Sequence, residues 1–160
     1  MSASTFQLCG LDPAPFQPLF ALNDASLAAR GALRRIVDNA PGYPCRISLE
    51  DAALGETVLL LPYLHQATDS PYRSSGPIYV RANAKQATLA PGHVPTSVSS
   101  RLISLRAYDE HDMMVCADVH PGNEVAAALE VLFADAGVAY VHLHNARQGC
   151  FSCLARRVDS

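Results

Sequence analysis

A chain of 160 residues suffices for one domain with an enclosed core. With 49% hydrophobic and 17% charged residues it is not an intrinsically disordered chain. Its 12 Lys+Arg against 15 Asp+Glu give a formal net charge of −3, so it has no basic field to draw nucleic acid or an anionic membrane.

The start, MSASTFQLCG, has neither the basic nor the apolar region of a secretory signal. The apolar run Val58–Leu61 breaks at Pro62, far too short to cross a bilayer. Five cysteines, an odd number, then predict free thiols in a reducing compartment, hence a cytoplasmic protein.

In chain order, residues 6–22 open with a short strand and continue through prolines that forbid regular helix or central strand. From Asp24 to Asp38, a cap at Asp24 or Ser26 and apolar Leu27, Ala28, Leu33, Ile36 and Val37 predict a helix, with Gly31 its weak point and Pro41-Gly42 beyond its end. Strands are predicted over 57–64 and 77–82, separated by the irregular SPYRSSG. Residues 85–100 read as a surface excursion, and 101–108 with 113–119 as a hairpin around DEHD. A helix from Asn123 to Gly137 follows, with Val125, Leu129, Leu132 and Ala136 on one stripe and Gly137 as its C-terminal stop. Strands over 139–144 and 153–158 complete the chain. The fold class is α+β: a single domain over residues 1–160, with a mainly antiparallel sheet of five or more short strands, two helices, and room for one parallel pair.

The densest chemistry lies in the run from His142 to Cys153. Residues two apart on a strand share a face, which puts His142 and His144 together. Cys150-x-x-Cys153 can supply two thiolates, so a Cys2His2 zinc site from His142, His144, Cys150 and Cys153 is one reading, with Asp109 or Asp118 behind the imidazoles. Set against it, cysteine is often buried with no function, and the histidines lack zinc-finger spacing. Thiol redox chemistry is disfavoured, because no helix pattern follows Cys150 to activate it. Asp109, Glu110 and Asp112 could hold a divalent ion, or simply keep their turn soluble. No Ser-His-Asp signature, Walker loop or dinucleotide glycine pattern is present, so no reaction class is assigned.

The segments PCRISLEDAALGETVLLLPY, SPYRSSGPIYVRA, LRAYD and VHLHNARQGCFSC together resemble the bacterial family catalogued as domain of unknown function 1203, over about residues 43–157. The resemblance implies a stand-alone bacterial protein and no activity. Within the matching runs the polar candidates are Tyr72, Arg73, Ser74, His142, His144, Asn145, Arg147, Cys150 and Cys153.

Three functions follow from these residues. The leading one is a pocket for a small, anionic molecule lined by Arg73, Arg147 and the histidine pair, with Tyr72, Ser74 and Asn145 as further contacts. The second is the Cys/His zinc domain. The third is a non-enzymatic interaction module, a homodimer, whose His and Cys residues are structural.

Overall fold

The computed structural model describes residues 5–158. In chain order its strands are β1 (Phe6–Cys9), β2 (Leu33–Ile36), β3 (Thr57–Gln66), β4 (Ser74–Arg81), β5 (Leu102–Tyr108), β6 (Met114–Pro121), β7 (Tyr140–Asn145) and β8 (Phe151–Arg157). The α-helices are α1 (Asp24–Ala29), α2 (Thr96–Ser99) and α3 (Val125–Phe133), with 3-10 turns at Gln17–Ala21 and Gly122–Glu124. One sheet has the order β1-β8-β7-β5-β6 and the other β2-β3-β4. Every ladder is antiparallel, so the architecture is α+β with a mainly antiparallel core. The only parallel pairing among the described residues is the isolated bridge Cys45–Tyr79, and the parallel pair allowed for at the C-terminal helix does not form.

Strand alternation sorts the larger sheet into two unlike faces. Phe6, Leu8, Ile103, Leu105, Ala107, Val141, Leu143, Cys153 and Ala155 face α3 and form the main core with Val125, Leu129 and Phe133. Burying one such leucine is worth about 1.5–3 kcal/mol. The stripe predicted on α3 is thus shifted: Phe133 takes the place expected for Ala136, which is exposed. The helix also stops before Gly137, where Arg157 bonds the carbonyls of Phe133, Asp135 and Val138. A cation donating to the last carbonyls satisfies acceptors that the helix leaves open.

The helix expected over 24–38 is corrected by the structure. α1 is capped by Asn23, whose side chain accepts from Ser26 N at 2.8 Å, and it covers only six residues. Gly31, at φ +73°, turns the chain through the left-handed region. Residues 33–36 then pair with Thr57–Leu60 as β2. An edge-strand partner outweighs a modest helical pattern already interrupted by glycine. Leu27, Ile47, Leu59, Ile78 and Val80 form a second core cluster under the smaller sheet. Gly122 is required for close approach, because a Cβ there would lie 2.1 Å from Val98 O.

Candidate functional site

The second face of the larger sheet carries Ser104, Arg106 and Tyr108 on β5 and Tyr140, His142 and His144 on β7, paired across the ladder as Ser104–His144, Arg106–His142 and Tyr108–Tyr140. Two irregularities equip this face. In β3 the register slips between Tyr63 and Gln66, an extra residue that re-aims the end of the strand. His65 there packs edge-on against His144, with ring centroids 4.9 Å apart, and against His142 at 6.2 Å. In β8 the register slips between the pairs Leu143–Cys153 and His144–Phe151. That slip puts Phe151 on the histidine face and Cys153 on the helix face, although two residues apart they would share a face in a regular strand. The Phe151 ring stacks on His65 at 5.6 Å and 6°.

His65, His142 and His144 each offer a nitrogen, and these lie within 4.8 Å of one another. His65 Nδ1, His142 Nδ1 and His144 Nε2 are buried without a hydrogen-bond partner among the described residues. His144 is wholly buried and its Nδ1 lies 3.1 Å from Gly149 O. A carbonyl only accepts, so Nδ1 carries the hydrogen and Nε2 keeps a free lone pair. His65 Nε2 is 3.3 Å from Ser74 Oγ. Nitrogens sharing one zinc at about 2.0–2.1 Å are about 3.4 Å apart, which leaves at most about 1.4 Å for side-chain rotation to close.

Electrostatics hold these imidazoles neutral, the form that ligates metals. Burial pushes His142 down to about 4, aided by His65 and Arg106 and opposed by Asp112. Burial likewise takes His144 down to about 3, opposed by the Gly149 carbonyl and aided by Arg106. His65 is lowered by burial and then by Arg106. Beside the cluster, Gln66 donates to Tyr140 Oη at 3.0 Å, and Tyr140 donates to Asp112 at 2.6 Å. Thr68 also donates to Asp112, at 2.9 Å. These bonds tie the β3–β4 loop and the β5–β6 turn to β7. The Tyr140 hydroxyl holds the Asp112 carboxyl below its usual range.

The expected Cys2His2 set does not converge. Cys153 belongs to the helix-side core, and burial pushes its thiol up to about 12. Cys150 precedes β8 and meets Arg46 Nη2 at 3.0 Å. Asp109 accepts from His111 N and Met113 N within its own turn, and Asp118 lies on the outer strand β6, so neither backs the histidines. The shared pocket expected for Arg73, Arg147 and the histidine pair is also corrected. Arg73 is exposed and bonds Thr68 O in the β3–β4 loop, Arg147 is exposed in the β7–β8 turn, and His142 and His144 are buried on the sheet face. Ser74 reaches His65, while Tyr72 only flanks Tyr108 at 6.0 Å. Asn145 lies beyond the cluster at the end of β7.

His65 was missed because it ends an apolar strand with no second histidine nearby in sequence. Arg46 was missed for a similar reason, as one arginine in an ordinary loop. Yet Arg46 is 2% exposed and lines a hollow of about 310 Å³ with Arg101, Asn145, Gln148 and Cys150.

No helix among the described residues is long and apolar enough to cross a membrane. Residues 42–157 match the family described as "Protein of unknown function (DUF1203)". No curated protein and no solved structure matches the chain.

Proposed function

The chain belongs to the DUF1203 family, and we propose that it is a metal-binding protein whose centre is His65, His142 and His144. The observation that carries this reading is the convergence, within 4.8 Å, of imidazoles whose buried nitrogens lack partners. An unsatisfied buried polar atom costs about 1–3 kcal/mol, so three held together call for a common partner. Neutral imidazoles suit zinc and its first-row neighbours, and three protein nitrogens leave a fourth position open. A zinc so held lowers the pKa of a bound water to about 7.

Arg106 decides what else binds. Its charge faces the cluster across the β5–β7 ladder and opposes an isolated dication there. An anion as fourth ligand removes that conflict, because it is attracted by metal and guanidinium alike. The reading is therefore a metal centre that takes an anionic ligand beside Arg106. Native mass spectrometry of protein purified without chelator tests it. One metal per chain, lost in His144→Leu, is the expected result; a bare mass after incubation with zinc, cobalt and nickel refutes it.

We further propose a bacterial, cytoplasmic protein, a reading supported by five cysteines that are all unpaired. A homodimer has one specific observation behind it. β6 is one of the two outer strands of the larger sheet and exposes Val115 at 51% and Val119 at 50%, an edge able to pair across a two-fold axis. Light scattering that gives a monomer mass at high concentration refutes this.

A further inference from the structure

The hollow beside β8 is lined by none of the three histidines. Arg46 is buried and makes no ion pair among the described residues. Its guanidinium donates to the Phe151 carbonyl at 2.7 Å, to the Pro44 carbonyl, and to Cys150 Sγ at 3.0 Å. Of these acceptors only the sulfur can carry a formal charge. Burial pulls the Arg46 pKa down, and Cys150 is the first group opposing that fall. A buried cation with no carboxylate is costly, and natural sites offset it with an anion.

The surrounding groups say which anion fits. Asp51 binds Arg101 through both oxygens, at 2.7 and 3.1 Å, and so neutralises it. Among the described residues neither Arg46 nor Arg147 pairs with a carboxylate. Asn145 is 4% exposed and lines the hollow, and its Nδ2 donates to Cys150 Sγ at 3.7 Å. An adjoining hollow of about 210 Å³ shares Ser100, Arg101, Asn145 and Gln148 and is bordered by Arg147. The combined space suits a small ligand rather than a chain segment.

We propose that this pocket binds small carboxylates carrying an electrophilic carbon and presents them to Cys150 as nucleophile. The carboxylate pairs with Arg46 and Arg147. The thiol proton leaves to solvent, Sγ forms a bond to the carbon, and the leaving group departs with the bonding electron pair. The product is a thioether on Cys150.

Iodoacetate and its neutral analogue iodoacetamide are the probes, with iodide as leaving group. Exposed Cys116 is the internal standard in the same molecule. Peptide mass spectrometry follows both sites in chelator-treated protein, so loss of metal binding does not affect the outcome. The iodoacetate-to-iodoacetamide rate ratio is expected to be at least tenfold higher at Cys150 than at Cys116. Malonate should protect Cys150 alone, and Arg147→Gln should lower the ratio severalfold while Arg46→Lys lowers it further. Should Arg46→Lys unfold, malonate protection of the wild type and the Arg147→Gln ratio still decide. Equal ratios at the two cysteines, with no malonate protection, overturn the proposal.

Discussion

Replacing His144 with leucine has opposite consequences in metal-free and metal-loaded protein. In the wild type, His144 is wholly buried, its Nδ1 bonds Gly149 O, and its Nε2 has no partner. Leucine loses that bond, worth about 1 kcal/mol, but removes an unsatisfied nitrogen costing about 1–3 kcal/mol. In chelator the variant should therefore match or slightly exceed wild-type stability. With zinc at a hundred times its Kd, the wild type gains about 2.7 kcal/mol. For a domain of this size that is a rise in Tm of about 5–11 °C. If the variant binds a hundredfold more weakly, its gain at the same zinc concentration is about 0.4 kcal/mol, a shift within about 2 °C. Differential scanning fluorimetry on both proteins, with chelator and with zinc, reads the crossing directly. The five thiols of the unfolded chain bind zinc equally in both proteins, so the comparison isolates the folded site. Equal zinc shifts in wild type and variant, or a variant less stable by several kcal/mol in chelator, would refute the reasoning.

The pH dependence of metal-free stability follows from the same burial. His142 and His144 fall to about 4 and about 3 when folded, against about 6.5 unfolded, so between these values the unfolded chain holds more protons. Stability should rise with pH across that window and be lost as pH falls from about 6.5. At about 1.4 kcal/mol per unit the effect is several kcal/mol, and urea titrations at pH 7 and 5 should find a smaller difference in His142→Leu. Cys153, 1% exposed with its thiol pushed up to about 12, should stay unmodified by maleimide at pH 7 until the protein is denatured, whereas Cys116 reacts at once. Gly122→Ala should cost about 3 kcal/mol because its Cβ meets the Val98 carbonyl, while Gly76→Ala, with nothing within 4 Å, should be nearly silent in the same urea titration. Asn23→Ala should cost about 1 kcal/mol through the lost cap on α1.

Much of the fold was legible locally, because alternation and turn residues act over a few positions. β3, the β5–β6 hairpin and β7 lie where their patterns predict, while β4 begins at Ser74, inside the expected loop, and α3 covers only Val125–Phe133 of the expected 123–137. The failures fall where a distant partner outweighs a local preference. Residues 33–36 carry apolar positions compatible with a helix, and the open edge of β3 makes them a strand instead. The site divides in the same way. The shared face of His142 and His144 follows from a period of two along β7, a property of the chain itself. The partnership of His65 with them does not, since it depends on how the β3 slip lays one sheet over another.

The sequence by itself determined most of the strands, the acidic balance, the α+β class and the histidine pair, for each depends on residue type and short spacing. Tertiary structure alone decided the third histidine, the banishment of Cys153 to the opposite face, and the meeting of Arg46 with Cys150. A one-residue slip in β8 sends Phe151 and Cys153, two positions apart, to opposite faces, and Arg46 reaches its sulfur across 104 positions of chain. Register and long-range packing are properties of the folded whole, and no local pattern encodes them.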